Sequence, residues 1–165
     1  MGETARTDPR RDMTGNEWPP GEFFADLRTA RYQISSEKDV SYNCIAWAAG
    51  DTTRWWWPDP QQLYYWPVQS PHEVTPQSFV LAFESLGYTR CEDGSSEYGF
   101  EKVAIFLDWL GTPTHMARQL PNGQWTSKLG GLEDIEHETL KQLEGVKPAY
   151  GKAAYFLKRR IPTEL

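Results

Sequence analysis

The chain has 165 residues, which suits one domain around one core. A formal charge of −6 excludes a general nucleic-acid binder, and no apolar run approaches the ~20 residues of a membrane span. Two cysteines, Cys44 and Cys91, are too few for a disulfide framework. Residues 1–11 are polar and lack the apolar stretch of a secretory signal, so a cytoplasmic setting is expected; a specialised secretion route leaves no readable mark.

Residues 1–21 read as a tail closed by Pro19-Pro20-Gly21, residues 22–160 as a single domain, and residues 161–165 as a second tail. Glu22 to Leu27 is expected to be a short helix or turn carrying Phe23, Phe24 and Leu27 inward. A polar approach, Arg31 to Asp39, leads to Ser41-Tyr-Asn-Cys-Ile-Ala-Trp-Ala-Ala-Gly50. Its apolar residues suit a short helix with Gly50 as the stop, which puts Cys44 at the helix start. Unsatisfied backbone N–H groups there favour a thiolate and lower its pKa. The plainer alternative is a small buried thiol.

After Gly50 comes an aromatic segment, Thr53-Arg-Trp-Trp-Trp-Pro-Asp-Pro and Leu63-Tyr-Tyr-Trp-Pro67. Its three prolines exclude a long regular element. It is expected either to cap the core or to form a wall of a substrate cleft through Trp55, Trp56 and Trp57. Thr75 to Gly87 is the clearest helix, with Thr75 as N-cap, Pro76 at the first position and Gly87 at the stop.

Downstream the period changes from helical to alternating. Short strands are predicted at Tyr88–Cys91, Lys102–Asp108, Thr114–Leu120, Gln124–Leu129 and Ala149–Lys158, with Asn122-Gly123 turning a hairpin. Asp134 to Leu143 is expected to be a charged helix or turn. The fold class is therefore α+β, with helices first and then an antiparallel sheet of about four strands.

This order suggests chemistry. If the Cys44 helix packs on the sheet, the imidazole of His115 meets the thiol and acts as its base. The group that orients the imidazole stays open among Ser127, Gln119, Asp134 and Glu136. Tyr42, Asn43 and the Cys44 backbone are the oxyanion candidates. His72 and His137 read as surface residues, and Glu133 to Glu138 as a solvated acidic face. No metal site and no cofactor are expected, since there is no His-Glu-x-x-His, no Cys-x-x-Cys and no phosphate-binding glycine loop.

Asn43-Cys44 opening an Ile-Ala-Trp-Ala helix, followed by the Thr114 to Ser127 hairpin, resembles the NlpC-type and CHAP cysteine peptidases of the papain-like superfamily. The resemblance implies a papain-like fold, with Cys44 as nucleophile, His115 as base and Ser127 as orienting residue. Tyr42 to Ala48, Gly99 to Ile105, Pro113 to Gly130, Asp134 to His137 and Tyr150 to Lys152 also resemble a small uncharacterised bacterial and phage family. Two functions follow as expectations. One is a cysteine peptidase, amidase or deamidase acting on a peptide or protein. The other is a non-catalytic relative, such as an effector, toxin or anti-host protein, that binds a protein or peptide through the Trp-rich loop. Neither nucleic acid nor membrane is expected as a partner.

Overall fold

The computed structural model describes residues 32–129, 133–145 and 149–162. Its elements are β1 (Tyr32–Ile34), α1 (Cys44–Ala49), α2 (Pro76–Glu84), β2 (Thr89–Cys91), β3 (Phe100–Leu107), β4 (Pro113–Gln119), β5 (Trp125–Lys128), β6 (Asp134–His137), a 3-10 turn (Leu140–Leu143) and β7 (Lys152–Arg160). The strands form one seven-stranded antiparallel sheet in the order β1-β6-β5-β4-β3-β7-β2. Among the described residues the α-helices are two, of six and nine residues.

This overturns the expected papain-like α+β fold with about four strands. Two of the additional strands arise where the sequence is polar. Asp134-Ile135-Glu136-His137 alternates with period two, pairs with β5 on one side and takes β1 on the other. Its charges suggested a helix, but both faces of this strand are covered, so even Asp134 and His137 are buried. The predicted turn at Glu22–Leu27 lies outside the described residues.

Strand register sorts the side chains onto two faces. Val103, Ile105, Met116 and Leu157 meet α1, α2 and the aromatic segment in one core. Ala104, Phe106, Ala117, Trp125 and Ile135 form the other core, closed by Leu143 and Ala149. The helices are too short to stand alone and hold through these contacts.

Local chemistry fixes α1. Asn43 is its N-cap: Oδ1 accepts from the Ala46 N–H at 3.1 Å. The same oxygen accepts from the Trp56 N–H at 3.1 Å, and Nδ2 donates to the Trp56 carbonyl at 2.8 Å. Gly50 ends the helix at φ +83°, which glycine adopts without a Cβ penalty. Trp47 Nε1 donates to Thr126 Oγ1 at 3.0 Å and pins the helix to β5. Trp56 and Trp66 are buried beside Phe79 and Phe83, so this part of the aromatic segment is core.

Removing the Asn43 side chain strips a cap and leaves the buried Trp56 N–H and C=O without partners. Asn43→Ala is expected to destabilise the fold by about 2–4 kcal/mol. Asn43→Asp keeps the cap but turns a second, buried acceptor oxygen toward the Trp56 carbonyl, so it too is expected to fall below the parent, by about 1–4 kcal/mol. Urea unfolding of the three chains checks both losses; equal stability of Asn43→Ala and the parent contradicts the account.

Candidate functional site

Cys44 is the first residue of α1, and Asn43, Cys44, Trp55, Trp57 and Tyr64 line a cavity of about 320 Å³. The walls are held by backbone pairing. Trp57 N–H donates to the Tyr65 carbonyl at 3.0 Å, and Tyr65 N–H to the Trp55 carbonyl at 3.3 Å. Trp55 Nε1 donates to the Val40 carbonyl at 2.6 Å. The Asp59 carboxylate accepts from the N–H groups of Gln61 and Leu63, shaping the turn before Tyr64. Trp56 faces away, with its Nε1 donating to Asp51 at 2.9 Å.

The helix is short, and burial opposes a helix-start thiolate. Burial pushes Cys44 up to about 11, against the N–H groups of Met116, Ile45 and Cys44 itself and the charge of Lys128. The expected lowering of its pKa is therefore corrected: desolvation outweighs the backbone donors. Cys91, part-buried near Asp93, is also raised, first by burial.

His115 lies on the opposite face of β4 from α1. Alternation puts Met116 and Arg118 under the helix, and Arg118 stacks over Trp47. His115 stacks on Tyr150 at 4.0 Å and nearly parallel, with Phe106 at its edge. No hydrogen bond joins His115 to Cys44: its Nε2 meets Ser127 Oγ at 3.0 Å, and its Nδ1 has no hydrogen-bond partner among the described residues. The two residues nevertheless converge on one stretch of backbone. β4 and β5 pair at Arg118–Thr126 and Gln119–Trp125 and then part. Beyond that point the Met116 N–H, on the peptide that follows His115, serves the Cys44 sulfur.

The hydrogen-bond chain behind His115 sets its tautomer. The Thr139 carbonyl can only accept, so His137 donates to it from Nδ1, at 2.8 Å. Burial lowers His137 to about 4 against that bond, so the ring is neutral at pH 7 and its Nε2 is an acceptor. Ser127 gives its one hydroxyl proton to this Nε2, at 2.8 Å. The Ser127 oxygen must then accept from His115, which places the His115 proton on Nε2. Burial, with His137 nearby, holds His115 well below its ordinary pKa. Its Nδ1 is thus a buried, unprotonated lone pair (fully screened from water).

The other predicted site residues are engaged elsewhere. Tyr42 donates its hydroxyl to Asp134 Oδ2 at 2.7 Å, and burial with this bond pushes Tyr42 up to about 12. That bond uses the one hydroxyl proton of Tyr42, whereas Asn43 Nδ2 gives one of its two protons to the Trp56 carbonyl. Gln119 donates to the Gly94 carbonyl at 2.7 Å. Asp134 faces Lys128, with Oδ1 3.9 Å from Nζ, and Glu136 pairs across from Thr126; neither is on the His115 face. Burial raises Asp134 and lowers Lys128.

His137, Tyr64 and Tyr150 were not among the predicted site residues. The signal for His137 was the Ile135/His137 alternation, which marks one inward face. Glu133 and Asp134 are buried, against the expected solvated acidic face. Among the described residues no three His, Cys, Asp or Glu side chains group as metal ligands, and no helix is long and apolar enough to cross a membrane.

A family model described as a domain of unknown function, DUF7689, matches residues 33–158. No curated protein and no solved structure matches the chain.

The two buried histidines make stability depend on pH. Their folded pKa values lie below the unfolded value near 6.5, so the unfolded chain binds more protons as pH falls from 6.5 toward 4. Each neutral histidine therefore withdraws up to about 1.4 kcal/mol of stability per pH unit in that window. The raised carboxyls of Glu133 and Asp134 act in the opposite sense. The difference between the parent and His137→Gln isolates one histidine. Urea unfolding from pH 7 to pH 4.5 is expected to show a slope shallower by about one proton in the variant; identical slopes contradict a neutral His137.

Proposed function

We propose that this chain, which belongs to the DUF7689 family, is a cysteine hydrolase acting on an amide of a peptide or protein. The observation that carries the reading is His115, a fully buried imidazole whose Nε2 is held by Ser127 and whose Nδ1 has no partner. A buried nitrogen without a partner forfeits a hydrogen bond, at a cost of about 1–3 kcal/mol, and such groups call for an explanation. Service as a base next to the backbone that meets the Cys44 sulfur supplies one.

The resting site is a neutral pair. With the thiol raised and the imidazole lowered, no thiolate–imidazolium pair forms in the empty protein. Cys44 then works as serine does in a hydrolase, losing its proton as it attacks. The sulfur forms a bond to the amide carbon while the proton passes to His115 Nδ1. The proton next goes to the departing amine as the C–N bond breaks. Water then attacks the thioester carbon and gives a proton to the same nitrogen, which returns it to the Cys44 sulfur as the C–S bond breaks and the carboxylic acid leaves. Ser127 and His137 hold the ring, and the stacked Tyr150 restricts its tilt. Transfer requires the sulfur to approach Nδ1 through the parting between β4 and β5, a tightening that bound substrate commonly brings about.

The second reading is a non-catalytic protein that binds a peptide in the aromatic cavity. The raised Cys44 pKa and the location of His115 across the strand favour it.

Acylation by p-nitrophenyl acetate, read as acetyl mass on each cysteine, separates the two. The hydrolase reading expects Cys44 to acylate faster than Cys91, with His115→Gln slower by about 10²-fold or more and Ser127→Ala by roughly tenfold. An unchanged Cys44 rate in His115→Gln overturns the hydrolase reading in favour of simple binding.

A further inference from the structure

The cavity over Cys44 has walls of an unusual kind. Trp55, Trp57 and Tyr64 give it three aromatic surfaces, and among the described residues no charged side chain lines it. Its polar wall groups are largely committed: both Asn43 side-chain atoms bond Trp56, and Trp55 Nε1 bonds the Val40 carbonyl. A carboxylate or phosphate entering it would meet no counter-charge, and its desolvation would go uncompensated. An aromatic face offers something to a cation, because the ring quadrupole attracts positive charge.

This protein uses several of its other aromatic rings in that way. Arg54 lies 3.5 Å over Tyr65, Arg118 lies 5.2 Å over Trp47, and Lys128 lies 4.6 Å over Tyr42. Among the described residues no Lys or Arg covers Trp55, Trp57 or Tyr64. The local charge has the matching sign. From Asp39 to Glu73 the chain carries Asp39, Asp51, Asp59 and Glu73 against Arg54 alone. Arg54 is already engaged, bonded to Asp51 at 3.0 Å and stacked on Tyr65. Two of the carboxylates belong to the turns that hold the walls. Asp39 precedes Val40, whose carbonyl bonds Trp55, and Asp59 bonds the N–H of Leu63, next to Tyr64. Hydrogen bonds from Ser41 keep Asp39 below the usual carboxylate range.

We propose that this cavity selects a cationic side chain, lysine or arginine, of a peptide, seated among Trp55, Trp57 and Tyr64 with its backbone presented to Cys44. The inference deepens the hydrolase reading by naming its substrate class. About 320 Å³ is at the lower end of ligand pockets and admits one long side chain rather than a large cofactor. Tyr64 is 47% exposed, so it is available to close over an entering chain.

The test uses the full chain carrying Cys44→Ser, so that binding is measured without chemistry. The probes are acetyl-Gly-Arg-Gly-amide, its citrulline counterpart and its glutamate counterpart, titrated by calorimetry. The arginine peptide is expected to bind about tenfold more tightly than the citrulline peptide, and the glutamate peptide to bind least. Tyr64→Leu, at an exposed position, and Trp55→Leu are each expected to shrink the arginine–citrulline ratio several-fold while leaving the fold intact by circular dichroism. Equal binding of arginine and citrulline peptides, tighter binding of glutamate, or no arginine-peptide binding at millimolar concentration each overturns the proposal. Loss of selectivity leaves the acylation result standing, and failed acylation leaves the cation site standing, so the two claims fail separately.

Discussion

The side chain of Asn43 is the constraint on which the candidate site depends. One oxygen caps α1 and also accepts the Trp56 N–H, while the nitrogen of the same amide holds the Trp56 carbonyl. A proline-broken aromatic segment has no ladder of its own to fix it. Tied to Asn43, it is anchored one residue from Cys44, so the thiol and the cavity walls are placed by one group. Trp56 goes into the core, and its neighbours Trp55 and Trp57 are left to line the cavity. The alternation of a short extended segment thereby divides three consecutive tryptophans into packing and binding roles.

The sheet divides the polar chemistry in the same way. On the helix face, Lys128, Asp134 and Tyr42 form a buried group beside the start of α1. On the other face, His115, Ser127 and His137 form a hydrogen-bonded chain anchored at the Thr139 carbonyl. Buried polar networks are costly unless satisfied, and this second chain is satisfied at every atom except His115 Nδ1. Gly151 helps to set the ring that stacks on it. A Cβ at that residue would lie 2.0 Å from the Leu107 carbonyl oxygen, so the backbone beside Tyr150 can approach β3 only as glycine.

Much of this was legible in residue patterns, and the failures have physical causes. The hairpin of β4 and β5 follows from alternation and from Asn122-Gly123, with Gly123 at φ +87°. The α2 start follows from Thr75 and Pro76. The grouping of His115 with Ala117 and Gln119 on one strand face was also readable. Which face α1 would cover was not, because both faces of β4 carry residues able to be buried. Charge misdirected the reading of β6: Asp134-Ile-Glu-His looks solvated until Tyr42 and Lys128 arrive from elsewhere to cover it. For Cys44, helix position argued for an activated thiol, but six residues of helix and near-complete burial reverse the sign.

The central claim is the state of His115: a neutral ring protonated on Nε2, with Nδ1 bare. Long-range proton–nitrogen correlation spectra of the histidine side chains at pH 7 report that state directly. The account predicts that His115 is the Nε2–H tautomer and His137 the Nδ1–H tautomer, both remaining neutral as the sample is taken to pH 5.5. A His115 ring protonated on both nitrogens at pH 7, or carrying its proton on Nδ1, would contradict it.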